Sequence, residues 1–565
     1  MFLFARPLSA LGVLGFYVGA SCVVSGVADL LAARREPSTD RLTVALPWVW
    51  ILVGLALLVW LGHDLDAFGP TVAVLLIVSG LVALVRLARD RSLERVTGAL
   101  FGVADILFGV LVLLWPDAGL IVVAALFGAR TALFGLSLVI RGTAQRLRGS
   151  TEPSEASPRR ARWLTGLRVV AAVCVVALAV GATWVSHSLR SGAPVVDAFY
   201  DTPDELPSQP GALIRYDAYT GQLPEDLVGY RIYYTTTDER GTIVPSSGLL
   251  VVPKHQQGPA PLITWAHGTV GVARPCAPSI NDNALDPAGV PDVDKLGALG
   301  WAMVATDYPG MGAAGNFPYL IGQGQGRATL DAVRAAHAVP GVSLDPRTVI
   351  WGHSQGGHAA LWAGQLAGTY APELDIVGTA ALSPASDPRQ LAESVLSHPE
   401  VVDASLGVAF VVDSYVKYYP DLSFDDVVTP GARAIVREAA TRCTSQTSTL
   451  VTALSGLAVS QDQSIVQTDA LSGPFGKRLT DNIPLGPWSA PLFLGQGESD
   501  EVISFRINQN YVARLCAQGT DLTFTGYAGG THMSVLTPGG PLVTDLTAWT
   551  QDRLAGKPAT SNCPP

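Results

Sequence analysis

The sequence predicts an α-helical six-span membrane domain followed by an α/β-hydrolase domain with a mostly parallel sheet and a helical cap. Three observations point there: apolar stretches of spanning length fill the first 187 residues, strands alternate with helical patterns after residue 225, and a Gly-x-Ser-x-Gly falls between a strand and a helix. Only 15% of the 565 residues are charged and mean hydropathy is +0.32, too apolar for a chain in water throughout. The net charge of −10, with no Lys/Arg run, argues against nucleic acid as a partner.

The apolar stretches lie near 8–33, 43–62, 70–88, 96–115, 118–140 and 164–187. Each is long enough at helical rise to cross a hydrocarbon core of about 30 Å. The first is too long, and too weakly basic at its start, for a cleaved signal peptide. Arg34, Arg35 and Arg41 follow the first span, Arg86, Arg89, Arg91 and Arg95 the third, and Arg141, Arg146, Arg148, Arg159, Arg160 and Arg162 the fifth. The loops around Asp64 and Asp117 hold no Lys or Arg. Basic loops stay cytoplasmic, so the N-terminus and everything after residue 187 are expected outside. This predicts a multi-pass plasma-membrane protein with an extracytoplasmic C-terminal domain and a flexible cytoplasmic loop over 143–163.

The membrane domain repeats internally. Ser25-Gly26 recurs as Ser79-Gly80, Gly54…Trp60 as Gly109…Trp115, and Arg86 as Arg141, at an offset of about 55 positions. These hairpins with small-residue faces resemble the HdeD-like acid-resistance membrane family over residues 1–187. Asp105 and Arg130 lie deep in adjacent spans and are expected to face each other, since an unpaired charge there is costly. A structural pin is the plainer reading of that pair, a proton or solute path the sharper one.

Residues 188–225 read as an extended arm or linker, and the hydrolase domain as 226–565. A strand–turn–strand pattern over 231–253 turns at Asp238–Gly241, and further strands are expected at Pro261–Ala266, Trp301–Asp307, Thr348–Gly352, Ile376–Ala381 and Pro491–Gly495. Helical patterns cover Ala328–Val339, Gly357–Leu366 and Ile507–Gln518. Between strands 376–381 and 491–495, about 100 residues (387–486) far exceed a direct connection. Apolar helical patterns at 404–419 and 447–459 make this insert a cap that could line an acyl pocket.

The sharpest motif is Gly352-His353-Ser354-Gln355-Gly356. A β-rich run precedes it and a helix-forming run follows, the context of a nucleophile elbow. The glycines permit the sharp turn, and His353 is expected to pack or hydrogen-bond within it. A Ser hydroxyl needs a base. In this fold acid and base follow the nucleophile in that order. Asp500 and His532 satisfy it, each in a loop just past a strand. Glu498 and Glu501 are rivals for the acid, but Asp500 sits in the G-x-x-D-x-V pattern of the usual acid loop. Oxyanion donors are expected from the N–H of Gln355 and of Thr269, with Gly268 second to Thr269; His267 would brace that loop.

Cys22 and Cys174 lie in apolar runs and are expected to be inert. Cys276, Cys443, Cys516 and Cys563 lie in the hydrolase domain, where an even number favours two disulfides among three possible pairings. Gly322, Gly324 and Gly326 form a G-x-G-x-G, but no preceding strand or later acid suits a dinucleotide. No pattern for a metal or cofactor occurs, so none is expected.

The domain resembles the secretory lipase family of fungi and actinobacteria over about residues 195–550. The resemblance rests on Phe199-Tyr200, Pro210-Gly211, His267-Gly268-Thr269, Cys276-Ala277-Pro278-Ser279, Asp307-Tyr308-Pro309-Gly310, the elbow, and the loops of Asp500 and His532. It implies an ester hydrolase acting on lipids under a helical cap, with Cys276 paired to Cys443 and Cys516 to Cys563. Such lipases are released, whereas here a membrane module stands in front. The expected function is therefore a membrane-anchored lipase or esterase acting on a lipid or other ester through an acyl-enzyme. The alternatives are an acyltransferase to a cell-envelope alcohol, or a membrane stress or transport module with an inert ectodomain.

Overall fold

The computed structural model describes scattered positions between 16 and 31, then 41–60, 68–89, 92–117, 158–190 and 194–563, the last without 257, 287–288, 398–401, 452 and 455–463. The chain divides into two compact units: residues 1–191 together with 429–438 and 450–465, and the remainder of 192–565.

The first unit holds α1 (Arg41–Trp60), α2 (Phe68–Arg89), α3 (Leu93–Leu114) and α4 (Pro158–Arg190). Among the described residues three segments are long and apolar enough to cross a membrane, Gly69–Ala88, Arg95–Leu114 and Val169–Arg190, and a shorter apolar helix covers Pro47–Val59. The predicted span 118–140, with Arg130, lies outside the described residues, so the pairing of Asp105 with Arg130 does too. α4 begins inside the segment expected as a flexible loop. Pro158 suits a first helical turn, where its missing N–H has no partner to lose, and the Arg/Ala run after it favours helix.

The repeat is visible in the packing. Gly80 of α2 lies against Gly102 and Ile106 of α3, while Gly26, one repeat earlier, lies against Pro47 and Ile51 of α1. Gly109 lies against Ala73 and Ile77, and Gly54 against Gly19 and Val23. A Cβ at any of the four would overlap the neighbouring helix. Close backbone approach through small residues is what holds helices together where burial of apolar surface gives no drive. At the ends of α3 and α4, Trp115 donates to Ser186 Oγ at 2.7 Å, and Arg190 stacks over the Trp115 ring at 5.1 Å.

The second unit is built on a nine-stranded sheet of order β1-β2-β3-β5-β4-β6-β7-β8-β9. Its strands are β1 (Leu213–Ala218), β2 (Leu227–Thr237), β3 (Ile243–Pro253), β4 (Ala260–Ala266), β5 (Ala302–Thr306), β6 (Leu344–His353), β7 (Asp375–Leu382), β8 (Leu492–Gly497) and β9 (Leu522–Tyr527). The β1/β2, β2/β3 and β3/β5 pairings are antiparallel, and every pairing from β5/β4 onward to β8/β9 is parallel. β1 falls within the stretch expected as an arm. Its exposed Tyr216-Asp217 end gives no alternating pattern, and pairing with β2 is what makes it a strand. The β2–β3 turn comes where expected, with Asp238 accepting from the N–H groups of Arg240 and Thr242.

Both faces of the parallel strands are buried, so their sequences read as apolar runs. Ile263, Trp265, Val349, Trp351 and Phe493 pack on one side against Leu542, Val543 and Leu546 of α14 (Pro541–Leu554), while Leu361, Ala381 and Leu494 face the other with Tyr511 and Leu515. The helices that matter for the site are α6 (Gly322–His337), α7 (Gln355–Tyr370) and α13 (Phe505–Ala517), with α5 (Val293–Leu299) beside the early strands. α6 starts six positions before its predicted apolar pattern. Gly322 and Gly326 sit in its first turns against Trp362 and Ala363 of α7, so the G-x-G-x-G serves helix–helix contact. Between β7 and β8 the insert forms α8 (Pro388–Ser397), α9 (Val402–Tyr418), α10 (Phe424–Val427), α11 (Arg433–Ala439) and α12 (Pro474–Asp481). The predicted helix at 447–459 lies mostly outside the described residues.

Two disulfides are present, Cys276–Cys443 and Cys516–Cys563, the pairing that the family resemblance implies; Cys22 and Cys174 are free. Cys276–Cys443 spans 167 positions and joins the segment after β4 to the insert. Closing so long a loop restricts the unfolded chain by about 5 kcal/mol in the chain-entropy account.

Candidate active site

Strand register assembles the site. Ala266, the last residue of β4, pairs with Gly352 of β6, so the His267-Gly268-Thr269 loop and the elbow leave the sheet side by side. Leu382 of β7 pairs with His353 and with Gly495 of β8, and Gly497 pairs with Tyr527 at the end of β9. The loops bearing Asp500 and His532 therefore open at the same edge as Ser354, as expected for carboxyl ends of parallel strands.

Ser354 sits between β6 and α7 at φ 58° and ψ −122°, a conformation costing about 1–3 kcal/mol that its surroundings must impose. They do so through its N–H to Leu382 O at 2.9 Å and its carbonyl, which accepts from His358 and Ala385. A Cβ on Gly352 would overlap the Gly356 carbonyl, and one on Gly356 the carbonyl of Ala266. Ser354 Oγ lies 2.9 Å from His532 Nε2, and His532 Nδ1 lies 2.9 Å and 3.1 Å from the two Asp500 oxygens. The Asp500 carboxylate is fully buried. Burial alone would raise its pKa, but hydrogen bonds from His532, Ile503 and Val502 outweigh that and hold it below the ordinary carboxylate range. An ionised acid next to Nδ1–H fixes the tautomer in which Nε2 can accept the Ser354 proton.

The rival acids stand elsewhere. Glu501 accepts from the backbone N–H of His532 at 3.1 Å, so it braces the His532 loop. Glu498 lies against Gly526. His353 Nε2–H donates to His532 O at 3.0 Å, with the two rings 4.6 Å apart. Burial, with the nearby His532, drops its pKa to about 3, so a neutral ring packs against His532. His267 is equally buried, at about 4, and bonds Gly268 O at 2.7 Å. Thr269 and Gln355 both line the cavity at Ser354. The Gln355 N–H belongs to the first turn of α7, where N–H groups lack helical partners.

That cavity holds about 340 Å³, within the range of small-molecule sites. Ser354 and His532 stand at one end; Leu391, Val395, Phe410, Val411 and Phe475, from α8, α9 and α12, supply much of the apolar wall. Among the described residues no group of His, Cys, Asp and Glu could hold a metal.

Sequence reasoning missed Gln496, Tyr319 and Asp307. Gln496 Nε2 donates to Asp500 Oδ2 at 3.2 Å and to Ile503 O at 2.6 Å. Asn508 of α13 links it onward to Pro384 O, at 3.0 Å, and to Ser386 just before the insert. No short motif signals such a chain. Asp307 did have a signal, its place in the Asp307-Tyr308-Pro309-Gly310 segment. It accepts from Ser247 Oγ at 2.6 Å and from Ser279 N at 3.0 Å, and Tyr200 bonds Ser279 at 2.9 Å. This network fastens the arm and the Cys276 segment to the sheet.

Burial pushes the Asp307 carboxyl up to about 6 against those hydrogen bonds. A raised native pKa means the folded state holds a proton that the unfolded chain has lost, so this group's contribution falls as pH rises from about 4 to about 6. The span is worth at most about 3 kcal/mol. Asp307→Asn is expected to flatten that slope, measured as urea midpoints between pH 4 and 7; an unchanged slope contradicts the assignment.

Comparison with known proteins bears on this arrangement. The secretory lipase family model matches residues 293–562, and that of a short repeat of unknown function, DUF308, matches 45–113 and 100–153. A probable inactive lipase of Mycobacterium tuberculosis is 27% identical, covering 68% of this chain and 89% of its own length. A secreted triacylglycerol lipase of Malassezia globosa is 26% identical, covering 66% and 83%. Lipase A of Candida antarctica in its closed state shares the fold, with a TM-score of 0.52 at 20% identity over 65% of this chain and 88% of that one. The secretory-lipase resemblance of the C-terminal part and the repeat character of the N-terminal part both hold, on a lipase-like α/β-hydrolase fold.

Proposed function

We propose that this chain is a membrane-anchored serine hydrolase that cleaves carboxylic esters of lipids through an acyl-enzyme. The observation that carries it is the unbroken run Ser354 Oγ, His532 and buried Asp500, with 2.9 Å contacts on both sides of the imidazole, at the end of an apolar cavity. In this scheme His532 Nε2 takes the Ser354 proton as Oγ attacks the ester carbonyl. The N–H groups of Gln355 and Thr269 receive the developing oxyanion. Collapse expels the alcohol, protonated by His532; water, deprotonated by the same ring, then releases the acid and frees Ser354.

The apolar cap wall suits an acyl chain, and the Malassezia relative is by name a triacylglycerol lipase. The Mycobacterium relative is described as probably inactive, but this chain keeps all three triad groups within reach of one another. In this reading the chain crosses the membrane six times and the hydrolase domain stands on the extracytoplasmic side. The Arg-rich alternate loops and two disulfides support that side from separate physics. Residues 387–486 act as the cap.

An impermeant fluorophosphonate applied to intact cells, followed by mass mapping, tests both halves of the proposal. Label on Ser354 is expected. Label only after the membrane is breached reverses the topology, and none at all defeats the enzymatic reading.

A further inference from the structure

Tyr319 is a buried hydroxyl that the scheme above leaves unused. It is 4% exposed, and its oxygen lies 2.6 Å from Thr269 Oγ1. The cap holds it in place. Its N–H donates to Ser414 Oγ of α9 at 3.3 Å, and that hydroxyl donates to Phe317 O at 2.8 Å. Its ring meets Phe317 and Phe410 of α9 edge-on, each at 5.8 Å. Thr269 and Tyr319 line the same cavity as Ser354. Burial pushes the phenol up to about 12 against the Thr269 bond, so it keeps its proton at working pH.

Two hydroxyls in contact share one hydrogen and leave the other free. If Tyr319 donates, the free proton belongs to Thr269, whose backbone N–H the proposed mechanism assigns to the oxyanion. We infer that Tyr319 is a positioning residue: by donating to Thr269 Oγ1 it turns the Thr269 hydroxyl outward as a third hydrogen-bond donor to the tetrahedral intermediate. The inference rests on the ester-hydrolase reading with Thr269 in the oxyanion hole. No proton changes owner; Thr269 lends a hydrogen bond that strengthens only as negative charge develops, which is the kind of contact that raises kcat. Because α9 anchors Tyr319 through Ser414 and Phe410, the third donor is complete only while the cap is seated.

The test uses the full chain, p-nitrophenyl butyrate as substrate and a phenylboronic acid as a mimic of the tetrahedral adduct. Thr269→Val, matched in shape, is expected to lower kcat on the order of 10²-fold, as for a removed oxyanion donor. Tyr319→Phe should lower it on the order of tenfold, a smaller loss because the donor is misaimed and not removed. Boronate affinity should fall in parallel, with KM little changed. Thr269→Ser should recover most of the loss, and Tyr319→Phe should add nothing in the Thr269→Val background. The inference is overturned if Tyr319→Phe leaves kcat intact, changes only KM or melting temperature, or costs the same with and without the Thr269 hydroxyl. Ser354→Ala separates the two levels: activity surviving in it defeats the hydrolase reading, whereas a dead Ser354→Ala beside a neutral Tyr319→Phe removes the positioning role alone.

Discussion

Ser354→Ala is expected to lower kcat for p-nitrophenyl ester hydrolysis by on the order of 10⁴–10⁶ while the protein stays folded. The lost oxygen makes the hydrogen bond to His532, and the backbone bonds that shape the elbow come from the main chain. Ala meets the φ of 58° with the same Cβ that Ser carries, so stability should move by less than about 1 kcal/mol. What remains is attack by water in a site that still holds the oxyanion. Activity within tenfold of the parent would place the nucleophile elsewhere.

Asp500→Asn is expected to cost on the order of 10⁴ in kcat at nearly constant KM. The carboxylate accepts from Val502 N, Ile503 N and Gln496 Nε2 as well as His532 Nδ1. An amide offers one acceptor oxygen where the site wants two. If that oxygen keeps the backbone donors, the NH2 faces His532 and favours the tautomer with its proton on Nε2, which cannot accept from Ser354. Glu501→Gln removes charge from a group that, among the described residues, accepts from the His532 backbone N–H, so less than about tenfold is expected. The reverse ranking of these variants would make Glu501 the acid.

Much of the α/β-hydrolase fold could be read because its elements repeat one local pattern. Buried parallel strands give apolar runs; β4, β6 and β7 each contain the strand predicted for that place, and β8 begins one residue after its predicted start and runs two residues further. β1 escaped because a six-residue edge strand that is half exposed has no such run. The early start of α6 escaped because Gly-rich turns are poor helix formers by themselves and are held here by Trp362. The proposed triad was legible through order and loop position, which are properties of the chain. Tyr319 was not, since its partner Thr269 is 50 positions away in irregular backbone and no spacing rule connects them. Gln496 and Asn508 pair over twelve positions across a loop and a helix, again with no periodic trace. In the N-terminal unit the offset of about 55 positions foretold equivalent glycines, and packing against Pro47 and Gly102 shows why those positions stay small.

The register that sets Ala266 beside Gly352, His353 beside Leu382, Leu382 beside Gly495 and Gly497 beside Tyr527 governs how this chain could change its length over generations or in the hands of an engineer. A single residue gained or lost inside β6, β8 or β9 would turn every following side chain to the opposite face of the sheet and carry Ser354, Asp500 or His532 out of reach of its partner. Additions between β7 and β8 leave all those registers untouched, so diversity in what is bound should accumulate there while the strands keep a fixed count.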